Sequence, residues 1–180
     1  VFQVYCEMDM EDGGWTLAMK AAGTTFEYNS SHWTSDSVTN ETSLDETEVA
    51  AKFESFNALS GTEVLLKAES GNYIRLALAS ESTLLSLFQG NATVLTYVSG
   101  SSTPGELINN KSWSYCGSVW RTNTFSTSRS AKIRLGGWVN YVWSCGYGND
   151  TAGNATGAHL LGFGIRDDEW GGFTYHKKSF

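Results

Sequence analysis

Residues 4–20 read VYCEMDMEDGGWTLAMK. On the way into this stretch Phe2, Val4 and Cys6 alternate with Gln3, Tyr5 and Glu7. That period of two marks a half-buried strand. EDGG, from Glu11 to Gly14, pairs acidic residues with two glycines, the composition of a tight turn that needs positive φ. Trp15, Leu17 and Met19 then resume the alternation. The opening is therefore predicted to be a β-hairpin, and the rest of the chain is read outward from it.

Residues 23–48 are rich in Ser, Thr, Asn, Asp and Glu and read as a long loop. Residues 44–56, LDETEVAAKFESF, carry weak helical spacing but could equally enter a strand. Val64, Leu66 and Ala68, an SGN turn at residues 70–72, and Ile74, Leu76 and Leu78 spell a second hairpin. Ser80 is the expected N-cap of a short helix through Phe88, with Gly90 ending it. Residues 94–98 form another strand, and SGSSTPG at residues 99–105 is a loop around the one proline. From Trp113 onward the chain is aromatic and Gly-rich: WSYCGSVW, IRLGGWVNYVW and LLGFGIRDDEWGGFTY. No repeat of 20–50 residues is present. The expected fold is β-rich α+β, with short helices and long Gly/Trp-rich loops, over one domain spanning 1–180.

Seven tryptophans are present, and Trp15, Trp138 and Trp170 adjoin glycine. Each suits a core in which rings pack on bare backbone; sugar stacking is the functional alternative. Only 17% of residues are charged, the net charge is -7 and the pI is about 4.9. This balance argues against a nucleic-acid binder. It suits solubility, cation binding or neutral partners such as sugars. Apolar runs are too short for a membrane-spanning helix. The opening VFQVYC, without Met, reads as the product of processing.

The three cysteines are Cys6, Cys116 and Cys145. Cys116 and Cys145 both follow aromatic, strand-like stretches, WSYC and VWSC, and are the expected disulfide. Such a loop closure contributes roughly 3–4 kcal/mol on the chain-entropy model. Cys6 is left for an intermolecular or upstream partner. The alternative is three reduced thiols in a cytosolic protein. Glycosylation sequons occur at Asn29, Asn40, Asn91, Asn110, Asn149 and Asn154. Chance predicts about two or three matches for this composition, so six favour a secreted, extracellular glycoprotein.

The opening stretch resembles the signature of fibrinogen-related domains, both fibrinogen C-terminal-like and intelectin-like. In them Y-C-[DE]-M precedes a Gly-rich turn and W-T. The matching residues are Tyr5, Cys6, Glu7 and Met8, then Gly13, Gly14, Trp15 and Thr16. The resemblance implies a fibrinogen-like domain whose N-terminal part is missing here. In that family the first cysteine pairs about one strand upstream, which bears on Cys6. It also implies lectin activity and raises the expectation of calcium in Gly-rich loops. The carboxylates that suit calcium are Asp167, Asp168 and Glu169, with Asn149 and Asp150 of GYGND expected to converge on them. An ordinary solvated acidic turn is the structural alternative.

No catalytic residue is assigned. The chain has no GxSxG, HExxH or Walker motif, and His32, His159 and His176 are scattered. Two non-enzymatic functions remain in competition. One is a recognition module binding glycans, assisted by calcium. The other is a structural subunit of an extracellular filament or matrix, binding its own copies through its N-terminal strand. A secreted hydrolase comes third.

Overall fold

The computed structural model describes residues 1–22, 25–44, 49–68, 71–101, 107, 119–125, 132–140 and 158–166. The architecture is β-rich α+β, as expected. Its frame is a six-stranded antiparallel sheet: β5 (Ser60–Lys67), β6 (Tyr73–Thr83), β7 (Val94–Gly100), β8 (Val119–Phe125), β9 (Lys132–Asn140) and β10 (Ala158–Arg166). Spatial order follows chain order, so the sheet is a meander. Two small pairs precede it, β1 (Cys6–Glu7) with β2 (Trp15–Thr16), and β3 (Met19–Lys20) with β4 (Ala51–Lys52). Two short helices, α1 (Glu54–Ala58) and α2 (Leu84–Gln89), complete the described elements.

The β5–β6 hairpin forms in the register its alternation predicts. Leu66 opposes Ile74 and Val64 opposes Leu76. Gly71 in the connecting turn has φ +82°, a conformation that costs glycine little. Ile74 and Leu76 are completely buried, as are Leu95 of β7 and Trp120 of β8. This sheet face packs on an aromatic cluster from the helices and the preceding loop. The Trp33 and Phe88 rings lie 4.7 Å apart, and Phe56 stacks on Phe88 at 5.8 Å. Because side chains alternate across a strand, Tyr73, Arg75 and Glu63 fall on the opposite face.

Three expectations are corrected and one open reading is resolved. The first hairpin pairs for only two residues per strand; Phe2 and Val4 are 38% and 37% exposed rather than half-buried. Residues 23–48 contain a 3₁₀ turn, Ser31–Trp33, and a bridge from Thr39 to Lys52. The described part of residues 44–56 takes both readings, with β4 followed by the start of α1. Finally, β6 runs on through Ser80, and Thr83 is the N-cap of α2, its hydroxyl accepting from the Ser86 amide at 3.1 Å. The apolar run begins only at Leu84, so the cap sits next to it. Gly90 does end α2, with negative φ (-78°).

Candidate functional site

The turn predicted at EDGG is the start of the site. Glu11, Asp12, Gly13 and Gly14 have φ of +48°, +69°, +77° and +82°. For the two non-glycine residues this conformation costs about 1–2 kcal/mol each. At Gly13 a β-carbon would lie 2.6 Å from the Met8 carbonyl oxygen, so no larger residue fits. The Gly13 amide donates to Met10 O at 2.8 Å, and the Trp15 indole N–H donates to the same carbonyl at 3.1 Å. Residues 6–16 thus form a narrow strap, tied to itself by few bonds.

The strap lies over the outer face of β5–β7, held there by side chains. Arg75 and Ser99 are direct cross-strand partners. Arg75 Nη1 donates to Glu11 Oε2 at 3.2 Å, and Ser99 Oγ donates to the same oxygen at 3.0 Å. The Glu11 carboxylate also lies beside the Tyr73 phenol: its accepting oxygen first, then burial and its charge, hold that phenol above the usual tyrosine range, with Arg75 opposing. Glu63 lies 3.7 Å from Arg75 Nε, and Glu7 lies 3.9 Å from Lys67 Nζ. Arg75 Nε is buried and makes no hydrogen bond.

Beside this cluster runs an open groove of about 890 Å³. It follows β5 along its length, lined by residues from both sheet faces. Its polar lining is Glu7, Glu11, Glu63, Lys67 and Arg75, with Tyr5 and Trp15. Its apolar lining includes Leu59, Leu66, Leu78 and Leu84, together with the buried Phe56 and Phe88. A concave surface with one apolar wall and a few converging polar groups is the usual form of a ligand site.

A second cationic centre lies behind the groove. Lys52 is completely buried, its Nζ 4.5 Å from the centre of the Phe56 ring and donating to the Ser35 carbonyl. Burial lowers its pKa below the ordinary lysine value, while the charges of Asp36 and Glu54 pull the other way. This ammonium is walled in and faces no ligand.

Of the residues singled out in the sequence, Asn29, Asn40 and Asn91 are all exposed. Asn40 Nδ2 donates to Ala50 O at 2.7 Å, and the Asn91 carbonyl accepts from the hydroxyl of its own sequon threonine, Thr93, at 3.2 Å. Cys6 is exposed in β1 and has no sulfur partner among the described residues. The expected disulfide Cys116–Cys145, the sequons Asn110, Asn149 and Asn154, and the carboxylates Asp150, Asp167, Asp168 and Glu169 lie outside the described residues. Among the described residues no cluster of His, Cys, Asp and Glu is arranged to hold a metal ion. No described helix is long and apolar enough to cross a membrane.

The sequence reading assigned no role to Tyr73, Arg75 and Ser99, and read Glu11 only as a turn residue. One signal was present: Arg75 stands between Ile74 and Leu76 in an apolar strand. A cation at the centre of a sheet face calls for a partner, but nothing local names Glu11, 64 residues away. No protein-family model, no curated protein and no solved structure matches the chain.

Proposed function

We propose that the chain is an extracellular, N-glycosylated recognition module of the fibrinogen-like type that binds glycans and does no chemistry on them. The groove along β5 carries this reading. Its polar lining offers both acceptors (Glu7, Glu63) and donors (Lys67, Arg75), the mixture that hydroxyl-rich ligands require. Trp15 and Tyr5 add amphipathic rings beside them, which suit a sugar's apolar face. The exposed positions of Asn29, Asn40 and Asn91 support the glycosylated, extracellular part. Calcium, if it assists, belongs to Asp150, Asp167, Asp168 and Glu169. The test is calorimetric titration with a panel of neutral and acidic oligosaccharides, with calcium and with chelator. Saturable binding that quenches tryptophan fluorescence is expected. Silence across the panel in both conditions sinks the reading.

A second reading rests on a different observation. Residues 1–5 belong to no helix or strand, and Phe2 and Val4 expose apolar side chains beside the exposed Cys6. Such a segment suits strand addition to a second copy, the basis of a filament or matrix subunit. Sedimentation of the wild type against the Phe2→Ser/Val4→Ser variant separates the two. A wild type that stays monomeric at high concentration removes the assembly reading.

A further inference from the structure

Two donors from neighbouring strands meet on one carboxylate oxygen. Arg75 belongs to β6 and Ser99 to β7, and the carboxylate arrives from a strap 64 to 88 residues away in sequence. The strap pairs with itself over two residues per strand, and its turn holds two non-glycine residues at positive φ. Its place on the sheet therefore depends heavily on these side-chain contacts. The contact is also incomplete. Glu11 reaches Arg75 through Nη1 only, leaving Nε buried without a hydrogen bond. A carboxylate approaching the guanidinium squarely would take both nitrogens, the stronger two-point arrangement.

We propose that Arg75, which lines the groove, and Ser99 beside it form a carboxylate subsite, which Glu11 fills in cis until the carboxylate of an acidic sugar replaces it. This rests on the glycan reading for the source of the carboxylate. The exchange swaps one carboxylate for another, so local charge at Arg75 and Glu63 is unchanged. The net charge of -7 opposes the approach of an anion, but at physiological salt such repulsion is screened beyond about 8 Å. Glu11 is tethered and competes at high effective concentration. Wild-type affinity is accordingly reduced by the fraction of molecules with the strap lifted, and removing Glu11 restores it.

The experiment titrates tetragalacturonate, its methyl ester, a tetraglutamate peptide and glutarate into the full chain, into Glu11→Ala and into Glu11→Ala/Arg75→Met. Binding of tetragalacturonate is expected to tighten at least tenfold in Glu11→Ala and to fall back in the double variant, with no gain for the ester. Should Glu11→Ala fold poorly, Glu11→Gln takes its place and is expected to show a smaller gain. In the wild type, hydrogen exchange adds an independent readout. Tetragalacturonate should accelerate exchange of the strap amides at residues 6–16 while the β6 amides at Ile74 and Leu76 stay protected. Equal affinities in wild type and Glu11→Ala, or an equal gain for the ester, overturn the subsite. A gain for tetraglutamate but not for tetragalacturonate overturns the acidic-sugar assignment. If neutral sugars bind the wild type while Glu11→Ala gains nothing for uronates, the subsite fails and the glycan reading survives. If Glu11→Ala gains for glutarate while no sugar binds, the donor pair stands as a carboxylate receptor and the glycan reading fails.

Discussion

Two cations on either side of the same sheet are held in opposite ways. Lys52 is completely buried, and its partners are a backbone carbonyl and the face of Phe56. Arg75 keeps about a quarter of its side chain exposed, and its partners are the carboxylates of Glu11 and Glu63. The first arrangement resists exchange, since nothing from solvent reaches the ammonium and its ring partner is part of the core. The second is open to exchange, because carboxylates from outside can do what Glu11 does. The difference separates a structural cation from one available to a ligand, although both stand next to apolar residues in a strand.

The largest expected effect tests the structural side. Phe56 joins the Phe88 stack to the Lys52 ammonium. Phe56→Ala should cost about 3–5 kcal/mol in chemical denaturation, as for other buried aromatic truncations. A loss below about 1 kcal/mol would mean that this ring is not packed in the core.

Lys52 itself comes next. Lys52→Ala leaves a cavity and an unsatisfied Ser35 carbonyl and should cost about 2 kcal/mol. Lys52→Met refills the volume and removes a buried charge, so it should fall within about 1 kcal/mol of the wild type. The two also differ in pH dependence. The folded-state pKa of Lys52 lies below the ordinary 10.5, so between that lowered value and 10.5 the unfolded chain binds more protons. Stability should therefore rise with pH across that window through this group, and Lys52→Met should lack the rise. Identical slopes in the two proteins would show that the ammonium is solvated.

Gly13→Ala turns to the strap. A methyl group there meets the Met8 backbone and adds a third non-glycine residue at positive φ. The cost is about 2 kcal/mol, confined to residues 6–16. Hydrogen exchange should quicken at the strap and stay unchanged in β6. Parallel loss in both would show that the strap and sheet unfold as one unit.

How far the sequence carried this comparison depends on the range of each interaction. The β5–β6 hairpin was legible because Val64, Leu66, Ile74 and Leu76 alternate locally and their register needs only a short turn. The EDGG turn was legible from its glycines for the same reason. The N-cap was misplaced by three residues because Ser80 and Thr83 are chemically equivalent caps and only the length of β6 chooses between them. Lys52 was illegible: a lysine between Ala51 and Phe53 reads as the solvated residue of an alternating pattern, yet β4 is buried on both faces. The donor pair was illegible for a different reason. Its members are ordinary strand residues, and only the fold brings Glu11 onto them across 64 and 88 residues.

The smallest expected effect is the most specific. Glu11→Gln keeps the shape of the side chain and removes its charge. With Arg75 and Glu11 both partly solvated, the ion pair contributes at most about 1 kcal/mol, so global stability should barely move. The Tyr73 phenol should respond far more clearly. In the wild type the neighbouring Glu11 carboxylate raises its pKa above the ordinary 10.0. Stability drawn from that contact is present below pH 10 and is lost as pH rises through the raised value, opposite in sign to the Lys52 effect. In Glu11→Gln the acceptor is neutral, and the phenol should titrate closer to a free tyrosine. Phenolate absorbance follows this directly, with Tyr73→Phe identifying which of the tyrosine transitions belongs to this site. An unshifted transition in the variant would mean that Glu11 does not rest on Tyr73 in solution, and the distinction between a locked cation and an exchangeable one would lose its second half.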